Sequence, residues 1–195
     1  MSAALLQNNK KCNELEDDRE SCLHVLTWTA LRYTNHTISQ GDLKGLLRPF
    51  DEAYEENDSV KGGKLKKGSL LERDIPERVK FDGRPHLDEL IAELTETFAV
   101  RYEKKPSEKR IREFERSRDS GASVVNDIVF IHRERMDSLK RPGWLVETFK
   151  RHLDPGSWPT SDSAVEQSID PRKRRRTGQG SRSHSVIAST FEQSD

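Results

Sequence analysis

The densest run of apolar residues lies between residues 17 and 33. It follows Asp17, Asp18 and Ser21 and comprises Cys22, Leu23, Val25, Leu26, Trp28, Ala30, Leu31 and Tyr33. A helix on a protein surface shows one apolar stripe, whereas here apolar residues fall on nearly every face. The pattern therefore predicts a helix buried at the centre of a domain.

A second periodic segment begins after a polar region over residues 34–40. Its apolar residues share one helix face at the 3.6-residue period: Leu43, Leu46, Leu47, Phe50 and Tyr54. Pro49 lacks a backbone N–H donor, so we expect the helix to end near Arg48 or to kink there. Residues 55–68 lack periodicity and contain adjacent glycines and several lysines, which predicts a flexible loop.

The clearest amphipathic helix is predicted to start at Pro85, because proline is favoured at the first helical position. Its apolar side comprises Leu87, Leu90, Ile91, Leu94, Phe98 and Tyr102, and acids occupy the other side. We expect this helix to dock onto the core. After Pro106, Ser107 is expected to cap a short charged helix that runs to Arg118.

Two further apolar segments complete the predicted helical unit. The first runs from Val124 to Leu139, and its length favours a helix, although the β-branched run from Val124 to Ile131 is equally typical of a short buried strand. The second is a helical face formed by Trp144, Leu145, Phe149 and Leu153. From Thr160 onward, low hydrophobicity and enrichment in Ser, Gly and Arg predict disorder.

These patterns predict one mainly α-helical domain over residues 1–159 and a disordered basic tail over residues 160–195. Composition agrees, since 32% hydrophobic and 35% charged residues leave a modest core in a chain of 195 residues. The formal net charge is zero, but residues 171–195 carry six Lys and Arg against two acids, which leaves −4 on residues 1–170. The tail is therefore a distinct unit.

Cysteine usage and hydropathy indicate a reducing compartment. Two cysteines are too few for a disulfide framework, and no N-terminal apolar segment is long enough for a signal peptide or a membrane span. We therefore expect a nuclear or cytoplasmic protein with no membrane partner.

No residue pattern indicates catalysis or metal binding by the chain itself. Cys12, Cys22 and His24 match no zinc pattern, because nine residues separate the cysteines and no fourth ligand lies near them. None of the six histidines pairs with a Ser or Cys at a spacing typical of a nucleophile and its base. We expect no catalytic, cofactor-binding or metal-binding residue here.

Residues 1–6, Met-Ser-Ala-Ala-Leu-Leu, and residues 18–21, Asp-Arg-Glu-Ser, give the chain a resemblance to the fungal-type protein kinase domain family. Residues 1–6, Met-Ser-Ala-Ala-Leu-Leu, are similar to the Met-Ser-x-Glu-Leu-Leu segment that ends the family's activation segment. Residues 18–21, Asp-Arg-Glu-Ser, resemble the Asp-Leu-Glu-Ser that opens its central helix. Residues 83–87 and the basic tail also resemble family members, so the resemblance covers most of residues 1–170. Ala4 replaces the family's Glu, and Arg19 replaces its Leu.

This resemblance implies the helical C-lobe portion of a protein kinase-like fold. Phosphoryl transfer needs a Gly-rich loop, a strand Lys paired with a helix Glu, a His-Arg-Asp catalytic loop and an Asp-Phe-Gly metal ligand. None of these strings occurs in the 195 residues, and in kinases all of them precede the end of the activation segment. We therefore expect the chain to be inactive alone and to bind ATP and magnesium only if joined to the missing N-terminal half.

The resemblance gives Asp18 and Ser21 a structural role at the start of the central helix. There Asp18 would accept hydrogen bonds from the backbone of the catalytic loop. The simpler hypothesis is that Asp17, Asp18 or Ser21 caps the helix, a contribution of about 1 kcal/mol.

Ala4 bears on a second family feature. In kinases the Glu at this place pairs with a buried Arg, and breaking such a pair costs about 3–5 kcal/mol. Arg141 and Arg84 are the two candidates for that Arg, and the alternative is that both are solvated.

Residues 172–176 form a dense basic run: Arg172, Lys173, Arg174, Arg175 and Arg176. The run fits a nuclear address read by an importin, and its competitor is a solubilising tail with no reader. No aromatic residue is interleaved, so any contact with nucleic acid would be weak, unspecific and salt-dependent. Thr177 follows three arginines and resembles a basic-directed phosphorylation site, where the added charge would partly neutralise the run.

Two functional hypotheses follow. In the first, the chain is the C-terminal part of a Ser/Thr phosphotransferase and has no chemistry by itself. In the second, it is a non-enzymatic nuclear helical module that binds an unknown protein partner through a helix face left exposed by the missing lobe elements.

Overall fold

The computed structural model describes residues 1–8, 10–56, 59–153, 158–159 and 163–167. Over these residues the chain is mainly helical, as predicted. The α-helices are α1 (Ala3–Gln7), α2 (Leu15–Tyr33), α3 (Gln40–Leu47), α4 (Lys64–Glu72), α5 (Asp74–Arg78), α6 (Pro85–Ala99), α7 (Glu108–Asp119), α8 (Ile128–Lys140) and α9 (Trp144–Leu153). A short antiparallel hairpin, β1 (Tyr54–Glu56) and β2 (Ser59–Lys61), precedes α4.

The amphipathic helix α6 lies at the centre of the packing. It contacts α2, α4, α5, α8 and α9, and it buries the predicted apolar side from Leu87 to Phe98. Pro85 occupies its first turn, as predicted. Because residues spaced by 3 and 4 share one helix face, this periodicity identified both the helix and its buried side.

The apolar residues of α2 do not all lie in the core. Leu23 and Leu31 are buried, but Val25 is 63% exposed. The prediction of burial on nearly every face is therefore wrong, since α2 packs against α3, α6 and α8 while its opposite face meets solvent. The helix surrounded by neighbours is α6.

Pro49 ends α3 as predicted. The helix closes at Leu47, and a 3₁₀ turn over Arg48–Phe50 contains the proline. The tighter turn accommodates proline at its start, where no N–H donor is needed.

The predicted flexible loop over residues 55–68 is partly wrong. The structure places the β1–β2 hairpin and the first turns of α4 in this segment. Gly63 precedes α4 with a φ of 81°, and a Cβ at this position would lie 2.6 Å from the Ala3 carbonyl oxygen. Buried Lys66 and Leu70 then hold α4 against the rest of the domain. The glycine permits close contact here, whereas the sequence pattern suggested only flexibility.

Two predictions for the C-terminal part of the domain, a cap at Ser107 and a helix after Val124, agree with the structure. Ser107 caps α7, because its side chain accepts a hydrogen bond from the Arg110 N–H. The apolar run after Val124 is helical from Ile128 onward, with Asp127 as the cap of α8. A helix, rather than a buried strand, is therefore correct for most of this run.

Part of the segment predicted to be disordered is described and contacts α2. The backbone N–H groups of Val165 and Gln167 donate to the carbonyl oxygens of Tyr33 and Arg32 at 3.0 and 2.7 Å. The basic run and Thr177 lie outside the described residues. Among the described helices, none has the length and apolar character needed to cross a membrane.

Candidate functional site

The N-terminal segment is anchored to α2 by buried polar groups. The Ser2 hydroxyl donates to Asp17 Oδ1 at 2.8 Å, and the Ala3 N–H donates to Glu20 Oε1 at 2.7 Å. Asp17 and Glu20 lie one turn apart on the same side of α2, and both side chains are 0% exposed. Residues 2 and 3 are thus fixed to the first turns of the helix.

Arg101 and Tyr102, just beyond α6, complete this cluster. Arg101 pairs with Asp17 at 2.7 Å through Nη2 and with Glu20 through Nη1, and its side chain is 11% exposed. The Tyr102 hydroxyl donates to Glu20 Oε2 at 2.7 Å and accepts from the Ala4 N–H at 3.1 Å. We call Ser2, Asp17, Glu20, Arg101 and Tyr102 the anchor cluster.

Charge balance in the anchor cluster keeps both carboxylates ionised. Burial raises the pKa of Asp17, but hydrogen bonds from Arg101, Lys11 and Ser2 outweigh burial and hold that pKa well below its usual range. Burial likewise raises the pKa of Glu20. The opposing effect of His24, the Ala3 N–H and Arg101 is larger, so the pKa of Glu20 lies below its ordinary value. Burial raises the pKa of the Tyr102 hydroxyl, so the phenol stays protonated as a donor.

His24 and Lys66 lie beside this cluster around a small cavity. Burial lowers the pKa of both groups, and for His24 this outweighs the opposing effect of Glu20. The cavity is about 20 Å³, which is room for about one water molecule. It is too small to hold a nucleotide.

Asp18 and Ser21 do not cap α2. The cap is a reciprocal pair in which Asp17 accepts from the Glu14 N–H at 3.0 Å and the Glu14 side chain accepts from the Asp17 N–H. Asp18 is exposed and accepts from the Asn13 amide at 2.9 Å. Ser21 donates back to the Asp17 carbonyl oxygen at 2.8 Å.

Asp18 belongs to an exposed stripe that we call the outer face of α2. Its members recur every three or four residues and are all exposed: Leu15, Asp18, Cys22, Val25 and Thr29. Such spacing places them on one side of the helix, opposite the residues that face the core. The stripe is therefore a continuous surface with both apolar and acidic character.

The two arginines considered as partners of the kinase Glu, at whose place this chain has Ala4, contact other groups. Arg141 is 54% exposed and pairs with Glu147 at 2.7 Å, and Arg84 donates to the Asp82 carbonyl oxygen at 2.8 Å. Arg19, which replaces the family's Leu, is buried and donates to the carbonyl oxygens of Leu139 and Arg141. The Arg that pairs with the acids holding the N-terminal region is the largely covered Arg101, which no sequence signal indicated.

A second cluster of ionisable groups joins α6 to α9. His86 Nδ1 lies 3.3 Å from Glu89 Oε2, and His152 Nδ1 lies 3.9 Å from the same oxygen. His152 Nε2 contacts Glu93 Oε2 at 2.9 Å. Among the described residues, His86, Glu89 and His152 form a group with one ligand atom each within 4.8 Å of the others.

Comparison with known proteins gives no family assignment. No family model matches the chain, and no curated protein or solved structure is significantly similar to it. The relation to the fungal-type protein kinase domain family therefore rests on the residues quoted above and stays a prediction.

Proposed function

We propose that the chain is the C-terminal helical part of a fungal-type protein kinase-like domain, and that the outer face of α2 receives the half that carries the catalytic loop. The observation that carries this proposal is the exposure of Asp18, Cys22 and Val25 along a helix whose other side lies in the core. A surface that is apolar in part and follows a helical repeat fits a packing partner better than bulk solvent.

Asp18 supplies the chemical argument for this partner. In the family that the chain resembles, the matching Asp accepts hydrogen bonds from the backbone of the catalytic loop. Here its carboxylate is exposed and accepts one hydrogen bond from Asn13, and an ionised carboxylate has room for further donors. A loop that presents backbone N–H groups is therefore a suitable occupant.

The anchor cluster supports the same assignment for the N-terminal segment. Residues 1–6 resemble the end of an activation segment, which must be held firmly against the central helix for a substrate to be positioned. Ser2 and Ala3 are bound to α2 through Asp17 and Glu20. The partly buried contacts to Arg101 and Tyr102 take the place of the Glu pair that Ala4 lacks.

Phosphoryl transfer belongs to the joined domain in this proposal. The chain alone is inactive, and ATP and magnesium bind only in the presence of the other half. The basic run over residues 172–176 acts as a nuclear address read by an importin. The competing function is a non-enzymatic nuclear module whose protein partner occupies the same outer face.

The mass of the native polypeptide distinguishes the kinase-like domain from the non-enzymatic nuclear module. An antibody raised against residues 87–105 detects the denatured protein in an extract of its source cells. A band much larger than the calculated 22.5 kDa is expected, because the catalytic half then belongs to the same polypeptide. A single band near that mass contradicts the proposal and favours the non-enzymatic module.

The two exposed cysteines provide a test of the docking surface. Cys22 lies on the outer face of α2 and Cys12 lies ahead of the helix, and both are exposed. We expect brief alkylation to modify both thiols in the purified 195-residue chain, but to modify Cys12 much faster than Cys22 in the native extract. Mass spectrometry of the two peptides measures each rate, and Cys12 is the internal control. Equal rates in the native extract contradict docking at this face.

The tail proposal has its own test. We expect Thr177→Ala to distribute between nucleus and cytoplasm differently from the parent, because a phosphate at Thr177 would partly neutralise the basic run. Fluorescence microscopy of the tagged full chain measures the distribution. Ser189→Ala, which no basic run precedes, is the matched control. A Thr177→Ala variant that distributes as the parent does excludes the switch.

A further inference from the structure

We propose that His86, Glu89 and His152 bind one divalent transition metal ion, with Zn²⁺ as the expected metal, and that Glu93 orients His152 for this role. The site joins the N-terminal part of α6 to the last turn of α9. It is independent of the kinase-like function and holds whether or not that proposal does.

The ligand atoms lie near enough to one another to converge on one tetrahedral ion. Zn²⁺ binds histidine nitrogens and carboxylate oxygens at about 2.0–2.2 Å, so neighbouring ligand atoms lie roughly 3.3 Å apart in a tetrahedron. The distance from His86 Nδ1 to Glu89 Oε2 is 3.3 Å. The distance from His152 Nδ1 to the same oxygen is 3.9 Å, and the three ligand atoms all lie within 4.8 Å of one another, so the two imidazoles must draw closer together around a bound ion.

Glu93 fixes which nitrogen of His152 faces the site. Its Oε2 lies 2.9 Å from His152 Nε2, which leaves Nδ1 directed towards Glu89. Metal-binding histidines commonly donate their other N–H to a carboxylate, which sets the tautomer and raises the basicity of the ligand. Arg151 pairs with the other oxygen of Glu93 and holds that carboxylate in place.

The surroundings hold His152 in position and leave one side open. Its side chain is only 11% exposed, and the Trp158 indole donates to its carbonyl oxygen at 2.9 Å. Glu89 is 60% exposed, so water has access for a fourth ligand. Three protein ligands and one open position are a common arrangement for zinc.

The donor set selects the class of metal. Two imidazoles and one carboxylate suit Zn²⁺ and other late transition metals, whereas Mg²⁺ prefers oxygen ligands in an octahedron. The spacing could not indicate this site, because His152 lies 63 residues after Glu89 in the sequence. A bound ion would fasten α9 to α6 in addition to their apolar contacts.

Metal titration of the untagged 195-residue chain tests the proposal. After treatment with EDTA and its removal, isothermal titration with ZnCl₂ is expected to show one equivalent bound, and MgCl₂ none. CoCl₂ is expected to give the visible absorption of a tetrahedral site without a thiolate charge-transfer band. The double variant His86→Gln, Glu89→Gln should lose binding, and Glu93→Gln should weaken it about 10–100-fold.

Matched variants exclude other ligands and loss of fold. Cys12→Ser with Cys22→Ser, and separately His132→Gln on α8, should each retain one equivalent of Zn²⁺. The metal-free melting temperatures of the site variants show whether α9 still packs, and only the zinc-induced rise in melting temperature should be lost. Absence of stoichiometric binding in the parent overturns the proposal, as does binding that survives His86→Gln with Glu89→Gln or disappears with the cysteines.

Discussion

Replacing Arg101 by methionine is expected to lower the free energy of unfolding by about 3–5 kcal/mol, because breaking a buried ion pair leaves uncompensated charge. The guanidinium group contacts both Asp17 and Glu20, whose side chains are fully buried. Methionine retains much of the packing volume, so the loss reports mainly on charge. Urea denaturation followed by circular dichroism measures the effect. Arg141→Met, which breaks an exposed pair with Glu147, is the control and should cost at most about 1 kcal/mol.

The pH dependence distinguishes charge from packing in the Arg101 variant. In the parent the pKa values of Asp17 and Glu20 lie below their ordinary values of 3.8 and 4.5. Their stabilisation is therefore complete above those values and is lost as the pH falls below them. In the variant that lacks Arg101, protonation of the buried carboxylates removes their uncompensated charge and so stabilises the folded state. The difference between parent and variant should shrink as the pH falls through about 4.5, and a constant difference would indicate lost packing instead.

Gly63→Ala is expected to lower the free energy of unfolding by about 2–5 kcal/mol. A left-handed backbone costs a non-glycine residue about 1–2 kcal/mol, and forcing atoms into a filled space costs about 1–3 kcal/mol more. The new methyl group would lie 2.6 Å from the Ala3 carbonyl oxygen and 2.9 Å from Leu6 Cβ. We expect the N-terminal segment to leave its place on α2, which faster limited proteolysis near residue 8 should reveal.

Gly121→Ala is the matched control for this prediction. Gly121 has a φ of 79°, close to the 81° of Gly63, but an added Cβ there meets no atom within 4 Å. The free energy of unfolding of the control variant should therefore fall only by the cost of a left-handed backbone at alanine, about 1–2 kcal/mol. Equal losses in the two variants would show that the contact with Ala3 and Leu6 contributes little.

Local patterns in the sequence identified most of the helices. The period from Leu87 to Phe98 identified α6 and its buried side, and Pro49 marked the end of α3. Ser107 was identified as a cap from its place before a charged segment. Each of these features depends on residues within a few positions of one another, and such short-range physics is visible in a sequence.

Features that depend on distant residues were not visible. The sequence could not show that α6 would be surrounded by five helices and leave one face of α2 exposed. Arg101 is 84 residues from Asp17, so no spacing rule connected them. The local sequence around Gly63 predicts only a flexible loop, because the reason for a glycine there is the carbonyl oxygen of Ala3 on α1, 60 residues earlier in the chain.

The anchor cluster also sets an order of events during synthesis. The Ala4 N–H binds the hydroxyl of Tyr102, 98 residues later in the chain. At about 5–20 residues per second, a ribosome makes the second partner roughly 5–20 s after the first. Throughout that delay the N-terminal segment lacks its contact with Tyr102, and Asp17 and Glu20 lack their ion pairs with Arg101 for most of it. The contacts that hold α1 against α2 are therefore incomplete until the residues that follow α6 have been synthesised.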